Sequence, residues 1–225
     1  PALKRAVPVS AARAPAIAGQ FGPELSPGKM RSALQALGFT DVYEVAVGAD
    51  LCTIEEAKDF ACEVMGMPSD EATQAMDEAG PDVTEFTDGK TLGLDPQEGS
   101  IEAANQKNST QEKKVTDKKK LPFMATSCCP AWWMMAKKLC PQYADCISMA
   151  LTPMVLTGRL IKRQHPSCKV AFIGPCAAKK LEAGRRTIRS DVDFVLTFEE
   201  LMGMFEAKEV DFSKLEVLAL PPEAR

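Results

Sequence analysis

The stretch "KVAFIGPCAAKKLE", residues 169–182, carries the pattern that decides the fold of this 225-residue chain. Its first part, KVAFIGP (169–175), is a continuous apolar run of strand length, and Gly174 with Pro175 ends it before a helical pattern begins. Such runs are typical of parallel strands that helices cover on both faces. Ligands of these sheets bind where the strands end, and Cys176 follows this strand directly.

Strand and helix patterns also alternate near the start of the chain. Ser26 followed by Pro27 is typical of a helix N-terminus, and the spacing of apolar residues predicts a helix over 27–37 that Gly38 ends. The sequence DVYEVAV (41–47) alternates apolar and polar residues as a strand does. The chain therefore begins with the same strand and helix alternation that the later stretch shows.

Capping patterns place further helices. Thr53 with Glu56 forms a capping box, which predicts a helix over about 53–65. Strands that alternate with helices imply a parallel sheet. The second half is expected to continue with strands at 122–126 and 193–197, helices at 130–139 and 153–164, and a helix that the capping box of Thr197 and Glu200 opens and that runs to Lys208.

The alternation predicts an α/β fold with two lobes of mostly parallel sheet flanked by helices. The first lobe is expected over 1–122 and the second, which contains the cysteine-bearing turns, over 123–225. Residues 78–120 are rich in Lys, Asp, Glu, Gly and Thr and poor in large apolar side chains. They are therefore predicted to form a long polar insertion in the first lobe.

Composition excludes several classes of protein. With 45% hydrophobic and 26% charged residues the chain has the composition of a globular protein, and its net charge of -4 lacks the basic surface typical of nucleic-acid-binding proteins. No apolar run is long enough to span a membrane. The first 23 residues contain three basic and no acidic residues, which is typical of transit peptides; the alternative is an opening strand in ALKRAV. A cytoplasmic location is expected, with an organellar one left open.

The eight cysteines do not form a recognised zinc or disulfide pattern. There is no C-x-x-C spacing, and the one histidine, His165, lies beside a proline in a polar turn, so zinc fingers and Cys/His nucleophile sites are poorly supported. Five cysteines fall within or beside predicted helices and strands and are expected to act as small buried hydrophobes: Cys52, Cys62, Cys140, Cys146 and Cys168.

Three other cysteines lie at strand ends. Cys128 and Cys129 follow the predicted strand at 122–126, and Cys176 follows AFIGP. Turns at strand ends leave backbone N–H groups free to hydrogen-bond sulfur, which favours thiolates, and thiolates there suit soft metals, above all iron–sulfur clusters. Lys179 lies one helical turn after Cys176, so both side chains can address one ligand; the alternative is an ordinary surface lysine.

Two motifs that contain these cysteines resemble those of the H-domain of FeFe (iron-only) hydrogenases, which is the C-terminal domain of the large subunit. TSCCPAW (126–132) is similar to the family's first motif, and PCAAKKLE (175–182) is similar to its second. The resemblance covers nearly the whole chain outside the polar insertion. Weaker similarities occur in the family's order: ADLCTIEEAKDF (49–60), SMALTPM (148–154) and DVDFVLTFEELMGMF (191–205).

The resemblance implies that the intact protein binds the H-cluster, a 4Fe-4S cubane joined to a diiron subcluster, at a site in the cleft between the two lobes. Cys129 and Cys176 would be ligands of the cubane. Cys128 would pass protons to and from the diiron site, and Lys179 would bind a cyanide of that site through its ammonium group.

A proton path through Ser148, Asp59 and Glu56 is implied as well. Asp59 stands where the family usually has glutamate, which keeps the carboxylate but shortens its reach by one methylene. Glu56 has an alternative role in the capping box with Thr53. The other positions that the resemblance places around the cofactor are Pro1, Ala2, Thr152, Met154 and Pro175.

The family's third motif, a C-terminal pair of cysteines, has no counterpart before LALPPEAR (218–225). In the family that motif supplies the other two cubane ligands. The chain is therefore expected to be a truncated H-domain that does not hold a complete H-cluster and is inactive alone. Its expected partner is the missing C-terminal segment or a second subunit.

The resemblance implies an oxidoreductase. The intact polypeptide is expected to reduce protons reversibly to H2, with electrons from a ferredoxin-like domain or protein, because the chain has no C-x-x-C-x-x-C motif of its own. Two other functions stay open: a non-catalytic or sensory hydrogenase-like iron–sulfur binding module, and a thiol redox protein that uses Cys128 and Cys129. A disulfide between adjacent cysteines closes a strained ring, which disfavours the latter.

Overall fold

A computed structural model of the chain describes residues 7–23, 25–79, 120–186 and 191–218. The chain divides into two compact units: the first, Pro1–Ala49 with Pro153–Arg225, is called the sheet unit here, and the second is Asp50–Thr152. The predicted lobes, with a boundary at residue 122, do not coincide with these units, and that division stays a prediction. The predicted insertion over 78–120 lies almost wholly outside the described residues.

The sheet unit contains a four-stranded parallel sheet, in the order β2-β1-β3-β4. Its strands are β1 (Val9–Arg13), β2 (Val42–Glu44), β3 (Lys169–Ile173) and β4 (Phe194–Leu196). The α/β class is thus confirmed. Two lobes of sheet were expected, whereas these four strands, two from each half of the chain, form one sheet.

Helices connect and follow these strands. The α-helices are α1 (Pro27–Leu37), α2 (Val45–Phe60), α3 (Ser69–Ala79), α4 (Pro130–Leu139), α5 (Pro153–Gln164), α6 (Ala178–Ala183) and α7 (Phe198–Ala207). A π-helical segment, Ala61–Met65, continues α2. Short 3-10 helices lie at Pro15–Ile17, Pro141–Cys146 and Phe212–Lys214.

Several helix ends lie where local sequence signals predict them. The Ser26 hydroxyl accepts a hydrogen bond from the backbone N–H of Lys29 at 3.4 Å, and Gly38 ends α1 in the left-handed region at φ 104°. Thr197 and Glu200 form the predicted capping box at the start of α7. These predictions are confirmed because a cap is a contact between residues a few positions apart.

The predicted start of the second helix is wrong. α2 begins at Val45, directly after β2, so Thr53 lies inside the helix and its capping box with Glu56 does not open it. Only the first half of DVYEVAV (41–47) is strand. The apolar residues at its end satisfy helical as well as strand spacing, and the helical alternative forms here.

Two predicted strands also differ. The first strand is Val9–Arg13 rather than ALKRAV, of which residues 2–6 lie outside the described part of the chain. The stretch at 122–126 contributes only one isolated parallel bridge, between Ala125 and Ile147, to the secondary structure. α3 has no counterpart among the predicted elements.

The core of the sheet unit lies between one face of the sheet and α1 with α7. Fully buried side chains from the helices and from β3, among them Leu34, Ile173 and Leu201, form it. Phe21 adds edge-to-face contacts with Phe198 and Phe205, at ring centroid distances of 6.0 and 5.8 Å. This packing holds α7 against the sheet and fixes the carboxyl ends of the strands.

Candidate functional site

The order of the strands places a switch point between β1 and β3. The chain passes from β1 to β2 on one side, and then returns to place β3 on the other side of β1. Ligands of open parallel sheets bind at such a point, beyond the carboxyl ends of the strands. Cys176 lies three residues beyond the last residue of β3, so the predicted cysteine is at this end of the sheet.

The turn that carries Cys176 is tightly packed. The backbone N–H of Gly174 donates to the carbonyl of Leu196 at 3.0 Å. A Cβ atom at Gly174 would lie 2.5 Å from the ring of Phe172, so a larger residue would require that ring to move. The chain leaves the sheet through exposed Pro175, and Cys176 itself is half-buried.

Lys179 forms an ion pair within α6. Its Nζ atom lies 2.7 Å from Oε2 of Glu182, and Glu182 is only 2% exposed. The backbone N–H of Lys179 donates to the carbonyl of Cys176 at 3.2 Å, which couples the helix to the cysteine turn. Glu182 belongs to the second motif, but sequence reasoning assigned it no role. Its spacing of three residues from Lys179 on a helix is the pattern that could have predicted this ion pair.

A second buried charge lies at the same ends of the strands. Arg13 is the last residue of β1 and pairs in register with Glu44, the last residue of β2, and their side chains form an ion pair. Burial lowers the pKa of Arg13, and the Glu44 carboxylate opposes that effect. The Nε atom of Arg13 is buried without a hydrogen-bond partner. Sequence reasoning did not identify this pair.

In the second unit, Cys128 and Cys129 precede α4. Cys129 occupies the N-cap position with an extended backbone, and its side chain makes no capping hydrogen bond. Its carbonyl accepts from the N–H of Trp133 at 3.1 Å, so the backbone rather than the sulfur starts the helix. Cys128 is exposed and Cys129 is half-buried. The sulfur of Cys129 is not occupied by the cap and is available to a ligand.

A backbone bridge holds the loop before these cysteines. The N–H of Ala125 donates to the carbonyl of Cys146, and the N–H of Ser148 donates to the carbonyl of Ala125, each at 2.8 Å. Ser127 and Ser148 are both buried. The bridge therefore brings the residue before Cys128 close to a serine from a distant part of the sequence.

Glu56 completes this cluster. Burial raises the pKa of its carboxyl above its usual range, against the opposing effect of hydrogen bonds from the backbone N–H of Ser127 and the hydroxyl of Ser148. The Ser148 oxygen also accepts from the N–H of Ala150 at 3.2 Å. Because that N–H is a donor, the hydroxyl proton of Ser148 is left to point toward Glu56. Two donors thus converge on the Glu56 carboxyl, and we call these three residues the Glu56 cluster.

Two other predicted proton-path and cofactor residues lie in the second unit. Asp59 is half-buried and follows Glu56 by three residues in α2, so both carboxylates lie on one side of that helix. Thr152 is buried at the end of the unit. Among the remaining predicted residues, Met154 is fully buried in α5 of the sheet unit, whereas Pro1 and Ala2 lie outside the described residues.

The remaining cysteines meet the expectation in part. Cys52, Cys146 and Cys168 are buried, as expected of small hydrophobes. Burial also raises the pKa of Cys168, and a hydrogen bond with Ser10 opposes this. Cys140 is exposed, which contradicts the expectation, because it lies just beyond the end of α4. Cys62 is half-buried.

The residues present do not fit a complete cubane cluster. Such a cluster needs four thiolate ligands, and only two, Cys129 and Cys176, are predicted in this chain. Within the described part of the chain, no group of three or more His, Cys, Asp or Glu side chains is arranged to hold a metal ion. In the same residues, no helix combines the length and hydropathy needed to cross a membrane.

Comparisons with known proteins agree with the motifs. Iron hydrogenase 1 of Clostridium pasteurianum is 26% identical over 208 residues, which cover 87% of this chain and 27% of that protein. The cytosolic Fe-S cluster assembly factor NAR1 of Kluyveromyces lactis is 35% identical over 86 residues, which cover 38% of this chain and 18% of that protein. The chain thus spans about a quarter of the hydrogenase and less of the assembly factor.

The fold and the family agree as well. A variant of the [FeFe]-hydrogenase HydA1 from Chlamydomonas reinhardtii has a similar fold, with a TM-score of 0.63 at 20% identity, over 97% of this chain and 47% of that one. The family described as "Iron only hydrogenase large subunit, C-terminal domain" matches residues 7–78 and 96–223, which include both cysteine motifs. The chain therefore belongs to this family, the C-terminal domains of iron-only hydrogenase large subunits.

Proposed function

We propose that this chain is the part of an FeFe hydrogenase H-domain that delivers protons and contributes two of the cubane ligands. The intact polypeptide would reduce protons reversibly to H2 with electrons from a ferredoxin-like donor. Family membership and both motifs support the proposal. When bound, the H-cluster would supply the redox and hydride chemistry, and this chain would supply ligands and protons.

The Glu56 cluster is the observation that carries this proposal. A carboxyl group that passes protons must gain and lose them near neutral pH, and burial moves the pKa of Glu56 in that direction. Its donor Ser127 is the neighbour of exposed Cys128, whose thiol would exchange protons with the active site. Glu56 would therefore take up the proton that leaves Cys128.

Ser148 and Asp59 would extend the proton path. Ser148 donates to Glu56 and accepts from a backbone N–H, so its hydroxyl orients the carboxylate. The second lone pair of its oxygen would accept a proton from the path as its own proton passes to Glu56. Asp59, one turn further along α2, would pass the proton on toward solvent. Its side chain is one methylene shorter than glutamate, so a water molecule would bridge the gap.

Cys129 and Cys176 are the proposed metal ligands. The sulfur of Cys129 is free of the helix cap, and Cys176 lies beyond β3 at the switch point of the sheet. Lys179 would bind an anionic ligand of the diiron site, with Glu182 holding its ammonium group in place. Pro1, Ala2, Thr152, Met154 and Pro175 stay proposed as residues that line the cofactor.

A second function is a non-catalytic iron–sulfur binding module. The observation that favours it is the higher local identity to NAR1, 35% over 86 residues, than to Iron hydrogenase 1, 26% over 208 residues. In that case the chain would bind a cluster without turning over hydrogen.

We propose a cytoplasmic location for either function. The relatives include both cytosolic and periplasmic proteins, so this location has to be tested by direct measurement.

Iron binding tests the ligand assignment. The polypeptide that contains these 225 residues together with the third motif is reconstituted with iron and sulfide without oxygen, and iron is counted by Mössbauer spectroscopy. Cys129→Ser and Cys176→Ser are each expected to lose the four-iron cluster, whereas Cys140→Ser, at an exposed cysteine, keeps it. Retention of the full cluster in both ligand variants would contradict the assignment.

A further inference from the structure

Residues 120–127 run along helix α2 in the direction opposite to it, and we call them the 120–127 strap. At one end, the backbone N–H of Leu121 donates to the carbonyl of Glu63 in the π-helical segment at 2.8 Å. At the other end, the backbone N–H of Ser127 donates to the carboxyl group of Glu56. Glu56 and Glu63 are about 10 Å apart along the helix, so the two attachments are about two turns from each other.

Lys120 adds a second attachment at the far end of the strap. Its Nζ atom donates to the carbonyl of Met65, the last residue of the π-helical segment, at 2.5 Å. Carbonyl groups at the end of a helix lack partners within it, and a cation is stabilising there.

The stem of the Lys120 side chain lies against Gly66. Gly66 has a left-handed backbone, at φ 78°, and a Cβ atom on it would lie 2.2 Å from Cε of Lys120. The lysine stem therefore occupies the space that a side chain at this position would need. Both the ammonium group and the stem thus hold Lys120 at the end of the helix.

The middle of the strap is attached to residues 143–148 instead. Ala125 forms its backbone bridge with Ile147, and the rings of Phe123 and Tyr143 lie 5.3 Å apart between centroids. These contacts tie the strap to a neighbouring segment but not to α2. Hydrogen bonds join the strap to α2 at its two ends.

Cys128 directly follows the strap, so its position depends on both attachments. A segment that is attached at two separated points has a fixed direction, whereas a single attachment lets it turn about that point. Without the far attachment, the strap would turn about Glu56 and Cys128 would move with it. Proton transfer requires a donor and an acceptor within hydrogen-bond distance or one water apart, so a displacement of about 1 Å is enough to slow it.

We infer that Lys120 is a positioning residue for the proposed proton path: it fixes the far end of the strap on α2 and thereby holds Cys128 in place beside the Glu56 cluster. The inference rests on the proposed function for the role of Cys128. It adds a residue that touches neither the cluster nor the cysteine and acts through the backbone between them.

Amide hydrogen exchange in the full 225-residue chain, resolved by NMR, tests the inference. Lys120→Met removes the ammonium group and keeps the stem that lies against Gly66. It is expected to speed exchange at the N–H groups of Leu121 and Ser127 by about tenfold or more, because both hydrogen bonds open more often. The N–H of Ser148, which bonds Ala125 in the bridge, is the internal control and should keep its rate.

The matched control is Lys138→Met, the same substitution at an exposed lysine of α4. It should change the exchange rates at Leu121 and Ser127 by less than about twofold. Lys120→Arg keeps a cationic donor at the end of α2 and should restore the unsubstituted rates. Because both lysines are exposed, all three variants should keep the unfolding midpoint of the chain.

The carboxyl group of Glu56 gives a second readout, which a merely stabilising role of Lys120 would not change. The N–H of Ser127 lowers the pKa of Glu56 against the effect of burial. Weakening of this hydrogen bond in Lys120→Met should therefore raise the pKa of Glu56 further, as measured by infrared titration. Lys138→Met should leave it unchanged.

Faster exchange at Leu121 with no change at Ser127 or in the pKa of Glu56 would overturn the inference, because the bridge at Ala125 would then hold the strap by itself. Unchanged exchange at both N–H groups would overturn it as well. Neither measurement requires iron or hydrogen. If Lys120→Met loosens the strap but the loaded intact polypeptide has no hydrogenase activity, the proposed function fails and the positioning of Cys128 by Lys120 stands.

Discussion

The hydroxyl of Ser148 donates a hydrogen bond to the carboxylate of Glu56, and the backbone N–H of Ser127 donates a second one. Neither contact is local in sequence. Both depend on the bridge between Ala125 and Ile147, which brings the cysteine loop to Ser148. The proposed proton path therefore depends on one short stretch of backbone pairing as much as on its titratable groups.

Ser148→Ala is expected to raise the pKa of Glu56 further. The hydroxyl stabilises the charged carboxylate, so its loss leaves burial less opposed. Infrared titration of the carboxyl band measures this shift. Ser127→Ala is the matched control: it keeps the backbone N–H that bonds Glu56, so the pKa should stay where it is. A fall of the pKa in the Ser148 variant would contradict the described hydrogen bond.

Stability is expected to depend on Glu56 as the pH rises. The pKa in the folded chain lies above the ordinary value of 4.5, so the folded state binds the proton more tightly than the unfolded state. The contribution of Glu56 is fully present below pH 4.5 and is lost as the pH rises through the folded pKa. Glu56→Gln should remove this decline, as measured by urea unfolding over pH 4 to about 8.

Asp211 gives the control of opposite sign. The Ser213 hydroxyl, with Lys214, lowers the pKa of Asp211 to about 2. Its contribution is therefore present above its ordinary pKa of 3.8 and is lost as the pH falls toward 2. Asp211→Asn should therefore lose stability above pH 3.8 and remove the pH dependence between 3.8 and about 2, whereas Glu56→Gln should remove the pH dependence above 4.5. The same pH dependence in both variants would show that the effect on Glu56 is not specific.

Alanine substitutions at two helical glycines should change the stability of the chain in opposite directions. A Cβ atom at Gly48 in α2 would overlap Oγ1 of Thr157 and the carbonyl oxygen of Pro153. Gly48→Ala is thus expected to destabilise the chain by about 1–3 kcal/mol. Gly203→Ala in α7 meets no atom within 4 Å and should stabilise it by about 0.5–1 kcal/mol. Denaturant unfolding compares the two, and a neutral Gly48 variant would refute this packing.

Removal of one partner from the ion pair of Arg13 and Glu44 should be costly. Glu44→Ala leaves a buried guanidinium without its carboxylate and is expected to lower the free energy of unfolding by about 2 kcal/mol. The loss is smaller than for a fully buried ion pair because Glu44 is partly exposed. Lys180→Ala, which breaks an exposed pair with Glu200, should cost under about 0.5 kcal/mol. Similar losses of stability in the two variants would show that the burial of Arg13 does not add to the cost of removing its partner.

The parts of the fold that the sequence predicts well are those with local causes. The N-cap Ser26, the stop at Gly38 and the capping box of Thr197 each involve residues within one helical turn, and all three occur as expected. The apolar strand at 169–173 is also correct, because its burial on both faces leaves a continuous apolar run.

The errors have non-local causes. β1 is rich in Ala and Ser, which have weak strand propensity, and it forms because it pairs with β2 on one side and β3 on the other. Small side chains suit this central, fully buried position. Likewise, Glu56 satisfied a local capping pattern with Thr53 but lies inside α2, where its partners come from distant residues. No local pattern contains that information.

The central claim is that this chain supplies ligands and protons to a catalytic H-cluster. The most direct test is hydrogen–deuterium exchange, measured together with iron content. The sample is the polypeptide that contains these residues and the third motif, after anaerobic loading with the diiron cofactor. The account predicts that the unsubstituted polypeptide catalyses exchange and that Cys129→Ala abolishes it. Cys128→Ala should reduce the exchange rate by about a hundredfold or more, as expected for loss of a proton-transfer group. Cys140→Ala should leave the rate unchanged. Bound iron without exchange in the unsubstituted protein would contradict the claim and establish the non-catalytic module instead.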